Sequence, residues 1–405
     1  MNCDSECRLF GAYRVVISIK DSVILIHSTV GCNWGTLAFH ISSKISDIRQ
    51  TSTVIYEEEI VNGGEKILEE ALENIVKLYE AEVIYVITGC IPEILNDDAL
   101  NVINRFKQKN NLENIFLLNE PGFNDAGIRG MKSAFKLLID EMTPREIIKN
   151  SINLIGFFSD DYKVDSDLIN IENMLEDFIY VNSVFPYDSY EDIMKVPSAV
   201  VNVVLDGFQF VGEMLKEKFG TPYITVSYPY GVTGSRIFVN KILAALSIEV
   251  HENFDEKETL SLELLNELHS FIDTFMGMPV AVLGDKARIY GLKKFLEVEL
   301  GMVVDVLIDT EQKKDSEEIR DEVVSSNSVM IFGSSFERGL ANELDIPFLQ
   351  YTYPVFDKIS ISKSGYAGVE GMSFLVEDIL NLAYFYPNTH KIGLEGRSGG
   401  YKCKF

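Results

Sequence analysis

Short runs of β-branched and aromatic residues punctuate the chain. The first half holds VILIHS (23–28), VIYVITG (83–89), IFLLN (115–119), INLIGFF (152–158) and VVNVVL (200–205). The second half holds YITVSY (223–228), PVAVLG (279–284), MVVDVLI (302–308), SVMIFG (328–333) and PFLQYTY (347–353). These runs are continuous rather than alternating, as strands covered on both faces must be. Longer stretches with helical spacing lie between them, such as 63–82, 287–301 and 373–385. Strand, helix and strand in repeated order predicts parallel, doubly wound α/β sheets. There are too many strands for one compact sheet of this kind, and seams fall near 142–151 and 269–279. The predicted organisation is three open, Rossmann-like α/β domains: 1–148, 149–275 and 276–405.

Composition narrows the partners. The chain has 405 residues, 46% of them hydrophobic, which is material for more than one packed core. Its 62 acidic side chains outnumber 36 basic ones, for a formal charge of −26. Such a surface repels phosphate backbones and anionic headgroups, so no nucleic acid or membrane partner is expected. No apolar run reaches the ~18–20 residues that cross a bilayer. The opening MNCDSECRLFGAYR lacks the basic-then-apolar order of a secretory signal. A cytoplasmic protein with reduced thiols is expected, and its five cysteines are not read as disulfides.

In open parallel sheets, ligands sit beyond the carboxyl ends of the strands. Residues at those ends include GC (31–32), GCIPE (89–93), SYPYG (227–231), GD (284–285), GSS (333–335) and YP (353–354). Cys32 and Cys90 each follow a glycine at such an end, and Cys7 precedes the first strand. Glycine there lets backbone approach a bulky inorganic group. Three thiolates fall short of the four ligands that structural zinc usually takes. They suit a cluster completed by another chain, and the absence of a Cys-x-x-Cys pair weakens ferredoxin and zinc-ribbon readings. On spacing alone, buried inert cysteines remain equally open.

The wider motif set carries a resemblance. CRLFGAYRVVISIKDSVILIHSTVGCNWGTLAFH (7–40) resembles the N-terminal cluster region of the nitrogenase component 1 family, and EVIYVITGCIPEILNDD (82–98) its strand ending in a cysteine. NEPGFNDAGIRGMKSAF (119–135), EKFGTPYITVSYPYGVTGSRIFVNKI (217–242), GDKARIYGLKKFLEVELGM (284–302) and 333–381 continue it in order. The resemblance implies three chelatase-like sandwich domains and an iron–sulfur cluster held at an interface with a homologous component 1 subunit, in a heteromer or homodimer. The cluster is a P-cluster of the 8Fe-7S kind in nitrogenases and a 4Fe-4S cluster in tetrapyrrole reductases. Cys7, Cys32 and Cys90 fall on the matching cluster positions, with spacing closer to the β-type chain than to the α-type. An ATP-hydrolysing iron protein is the implied electron donor.

Departures from the family pattern shape the expected function. No cysteine lies between Cys90 and Cys403, so the middle domain offers no thiolate for an α-type cofactor, and the late His390 lies beyond the last motif. The position of a serine that joins the oxidised P-cluster in β-type chains reads as Ala126. The expected function is an electron-relay subunit of a nitrogenase-like reductase, passing electrons to a substrate site at or across a subunit interface. The alternatives are a cofactor-assembly scaffold and a homodimeric tetrapyrrole reductase component. Cys3 and Cys403 read as incidental tail thiols. His27 reads as a buried histidine satisfied by backbone, with polarisation of the cluster site as the alternative. Trp34 and Phe39 read either as a shield for the cluster or as core aromatics. Glu93, Asp97 and Asp98 read as caps of the next helix. Arg338 reads as one half of an ion pair within the third domain. GSSFERG is only a weak imitation of a phosphate loop, so ATP hydrolysis belongs to a partner.

Overall fold

The computed structural model describes residues 7–40, 49–123, 126–176, 178–248, 252–310 and 315–385. Cys3, His390, Cys403 and the side chain of Phe39 lie outside what it describes. Twelve strands form three four-stranded sheets, all parallel. The first sheet contains β1 (Ser22–His27), β2 (Gln50–Ser52), β3 (Val83–Thr88) and β4 (Ile115–Asn119). The second contains β5 (Ser151–Ile155), β6 (Tyr180–Phe185), β7 (Val201–Leu205) and β8 (Tyr223–Val226). The third contains β9 (Pro279–Gly284), β10 (Val303–Asp309), β11 (Ile331–Gly333) and β12 (Phe348–Gln350).

Every strand except β2 and β6 coincides with one of the apolar runs. Those two are outer strands, beside β1 and β5 respectively. An outer strand is covered less completely, so it tolerates the polar Gln50, Thr51 and Ser52 of β2. It also tolerates the mixed YVNSVF of β6, whose first residue is exposed. The central strands β1, β3, β5 and β7 are buried along their whole length.

Each sheet repeats one order: second strand, first, third, fourth. The chain runs outward from the first strand, returns across it, and continues to the other side. The crevice between the first and third strands is therefore the switch point, where helices leave to opposite faces and a ligand can lie between them. Helices cover both faces; Leu68, Leu72 and Ile75 of the helix Glu65–Leu78 are buried with Val23, Leu25, Ile84 and Val86 in one core. After the third sheet the chain turns back. The helix Gly368–Phe385 packs on Val164–Leu175, Gly231–Leu246 and Glu252–Glu267, which belong to the middle part of the chain.

Candidate functional site

Two of the three cysteines flank the switch point of the first sheet. β1 and β3 pair side by side to their ends, with His27 opposite Thr88, and the Gly89 amide continues the ladder to the His27 carbonyl at 3.1 Å. Beyond β1 the chain enters the helix Val30–His40, which carries Cys32 in its first turn. Beyond β3, Gly89 caps the helix Cys90–Leu95, whose first residue is Cys90. Cys7 comes from elsewhere: it caps the N-terminus of the helix Arg8–Ile17 and pairs through its backbone with Ala126. All three thiols therefore sit at helix N-termini, where peptide dipoles and unpaired amides favour negative charge.

What brings Cys7 to the sheet edge is a close helix crossing. The helix Arg8–Ile17 lies against Gly127–Glu141 through reciprocal glycines. A Cβ on Gly11 would stand 1.8 Å from the Gly127 carbonyl oxygen, and one on Gly130 would stand 1.8 Å from the Arg8 carbonyl oxygen. The backbones touch, so no side chain fits at either position.

Gly122 connects Cys7 with Cys90. Its amide donates to the Cys90 sulfur at 3.1 Å. A Cβ there would lie 2.8 Å from Cys7 Cβ, 3.2 Å from Cys7 Sγ and 3.7 Å from Cys90 Sγ. The two sulfurs thus face one small space that only a glycine leaves open. Ser28 serves the third: its hydroxyl donates to Cys32 Sγ at 3.2 Å. Burial pushes the Cys7 thiol above its ordinary pKa, the amides of Phe10 and Leu9 oppose this, and the charges of Cys32 and Cys90 add to it. Ser28, which bonds Cys32, also lies against Gly89, the residue before Cys90, so Cys32 and Cys90 border the same edge. Disulfides do not occupy the three cysteines; all are free and partly exposed.

Among the described residues, no three His, Cys, Asp or Glu side chains converge tightly enough for a single metal ion. A mononuclear ion needs every ligand within about 2.3 Å of one point. A polynuclear iron–sulfur group spans several ångströms and takes thiolates at its corners. Three separated thiols, three helix N-termini and a glycine-lined opening fit the second kind of group.

The neighbours have structural duties. His27 is fully buried; burial pushes its imidazole down to about 4, with Asp97 opposing, so it is neutral. Its Nδ1 bonds the Thr53 hydroxyl at 3.0 Å, a side-chain partner rather than the backbone one expected. Its Nε2 has no hydrogen bond and lies 3.6 Å from Asp97. Asp98 caps the helix Ala99–Asn110, as expected. Asp97 instead accepts the Gly64 amide, and Glu93 accepts from Asn119. Trp34 is 71% exposed, which removes the core reading. Val30, Ile94 and Phe123 are exposed too, so the elements around the cysteines present an apolar rim.

At the corresponding ends of the other two sheets, charged side chains pair with one another beside a cavity of about 260 Å³ lined by Asp160, Asp161, Lys163, Val355 and Lys358 among others. Beyond β5, Asp160 and Asp161 receive the Arg14 guanidinium, which comes from the same helix that Cys7 caps. Asp161 also pairs with Arg288 at 2.8 Å, and Arg288 pairs with Asp285, the residue after β9. Asp285 accepts from Thr352, just beyond β12. Tyr228, Tyr230 and Tyr351 close around this network, all buried. The sequence pattern marks Asp285 and Tyr228 as strand-end residues but gives no sign that Arg14 and Arg288 answer the aspartates. Arg338 pairs with Asp357, both close to the third sheet. Gly122 and Ser28 also contact the cysteines, and the sequence does not single them out: Gly122 sits within NEPGFNDAGIRGMKSAF, and Ser28 has no signal of its own.

Comparison with known proteins places the chain among relatives that span most of its length. The family model described as "Nitrogenase component 1 type Oxidoreductase" matches residues 7–384. The nitrogenase iron-molybdenum cofactor biosynthesis protein NifE of Clostridium pasteurianum is 29% identical over 80% of this chain and 72% of its own. The nitrogenase molybdenum-iron protein beta chain of Methanococcus maripaludis is 23% identical over 93% of this chain and 92% of its own. A light-independent protochlorophyllide reductase component of Zygnema circumcarinatum is 23% identical over 95% and 82% respectively. A solved structure described as "Nitrogenase Cp1 at pH 6.5" shares the fold, with a TM-score of 0.77, 20% identity, and coverage of 94% of this chain and 93% of that one. No helix among the described residues is long and apolar enough to cross a membrane. From the three repeated sheets, the ordered motifs and a family match spanning nearly the whole chain, it follows that this protein belongs to the nitrogenase component 1 type oxidoreductases.

Proposed function

We propose that this chain is the iron–sulfur subunit of a nitrogenase-like reductase, with Cys7, Cys32 and Cys90 as its ligands. The observation that carries the reading is the meeting of these thiols at one helix-lined edge of the first sheet, within an exposed apolar rim. The cluster, once bound, would store and pass single electrons; the protein holds its sulfurs, supplies hydrogen bonds and limits water. Because three cysteines leave irons without ligands, and because the rim is exposed, the remaining ligands come from a homologous subunit covering it. An ATP-hydrolysing iron protein is the electron donor in this reading, since the sequence carries no phosphate loop. At the ends of the other sheets, Arg14 and Arg288 are taken up in ion pairs with buried aspartates. In this reading, as the family resemblance implies, the substrate site lies at or across the subunit interface.

The test is anaerobic purification with iron and sulfide analysis of three variants. Cys32→Ala and Cys90→Ala are expected to lose the absorption and paramagnetic signals of the cluster, and Cys403→Ala to keep them. Equal cluster content in all three would defeat the assignment. A second reading, an assembly scaffold that holds a precursor cofactor, is favoured by the 29% identity to a cofactor biosynthesis protein. Turnover separates the two. A reductase consumes ATP and electrons with product formed, whereas a scaffold releases its cofactor to an acceptor protein.

A further inference from the structure

A buried hydroxyl stands behind one of the sulfurs. Ser28, the first residue beyond β1, is 1% exposed, and its Oγ donates to Cys32 Sγ at 3.2 Å. Among the described residues, this is the one hydrogen bond its side chain makes. The residue itself is held by its backbone: its carbonyl accepts the Ile55 amide at 2.9 Å. Across the switch point, Gly89 leaves the space that the hydroxyl occupies. A Cβ on Gly89 would stand 2.3 Å from Ser28 Oγ and 2.9 Å from Ser28 Cβ. A buried hydroxyl at the end of β1 is thus matched to a glycine at the end of β3, and its proton points to sulfur.

The three sulfurs are consequently unequal. Cys90 receives the Gly122 amide at 3.1 Å, and Cys7 faces the amides of Leu9 and Phe10 at the start of its own helix. Cys32 receives a side-chain hydroxyl. Backbone donors survive any substitution, whereas this one can be removed. We infer that Ser28 is a positioning residue that raises the cluster's reduction potential through Cys32, an inference that rests on the ligand reading above. A hydrogen bond to a thiolate strengthens as electron density is added to the metal, so it stabilises the reduced state more than the oxidised one. Removing it makes the cluster harder to reduce.

The experiment is a dye-mediated redox titration with dithionite, followed by paramagnetic resonance, on the anaerobically purified holoprotein and on Ser28→Ala and Ser28→Thr. Iron and sulfide are counted in each sample. Ser28→Ala is expected to keep wild-type iron content with a midpoint shifted to more negative potential, and Ser28→Thr to keep both the iron and the midpoint. An unmoved midpoint in Ser28→Ala overturns the inference. So does an equal shift in Ser28→Thr, or a loss of iron in Ser28→Ala, because the hydroxyl would then be a structural requirement. A wild-type protein that holds no iron overturns the ligand reading itself, which distinguishes the two failures.

Discussion

Single residues decide the site through room and charge. Gly122 is the clearest case, because a methyl there would meet Cys7 Cβ at 2.8 Å. Gly122→Ala is expected to cost about 1–3 kcal/mol through overpacking and to lower bound iron with the overall secondary structure intact. Full iron content, measured together with circular dichroism, would rule this out. Asp167 offers a pH test away from the cysteines. Burial raises its pKa from 3.8 to about 6, against opposing bonds from the Ala367 and Tyr366 amides and the Tyr228 hydroxyl. The folded state therefore holds this proton more tightly than the unfolded chain does. The stability linked to it is complete in acid, declines as pH rises from about 4 to about 6, and is flat above. In magnitude this is about 3 kcal/mol. Subtracting the unfolding free energy of Asp167→Asn from that of wild type across this range should expose the decline, and a flat difference would contradict it. None of these roles is written in residue type alone. Gly122 looks like any loop glycine, and Asp167 looks like a surface acid in a first helical turn.

Elements carry the next level. The helix Arg8–Ile17 does two jobs: its N-terminus is capped by Cys7, and it lies against Gly127–Glu141 by backbone contact at Gly11 and Gly130. Gly130→Ala must push the two helices apart, since its Cβ would overlap the Arg8 carbonyl. The expected loss is about 1–3 kcal/mol or somewhat more, and Cys7 should leave the sheet edge with it. Denaturant titration and iron analysis on one preparation check both halves; a stable protein without iron would show that the crossing serves the site more than the fold. Element existence is largely legible in the sequence because central parallel strands must be apolar on both faces. β2 and β6 escape for the converse reason. Each is an outer strand, so Asn182 of β6 can be placed inward, where it bonds the side-chain carbonyl oxygen of Asn153 at 2.8 Å. A buried polar pair satisfied across strands leaves no hydrophobic pattern to read.

At the scale of the whole molecule, the parts are joined by charge as well as by packing. Arg14, ahead of the first sheet, and Arg288, beside the third, both reach Asp161 at the edge of the second. Burial raises the pKa of Asp160 and Asp161, and the two guanidiniums oppose it. Removing one partner leaves a buried charge without its counterion. Arg288→Met is therefore expected to destabilise the protein by about 3–5 kcal/mol, read by chemical denaturation, and a loss below about 1 kcal/mol would remove this network from the account. The order of apolar runs and helical stretches was enough to determine the class of fold, three sheets in succession, and the motif series was enough to determine the family. Both follow from local pattern, since every central strand must be hydrophobic wherever it ends up. Contacts between distant segments were settled only in three dimensions. Residues 7, 90 and 122 share an edge because helices cross and strands reorder, and the last described helix returns to the middle of the chain. Sequence separation carries no record of such meetings; the geometry of packing creates them.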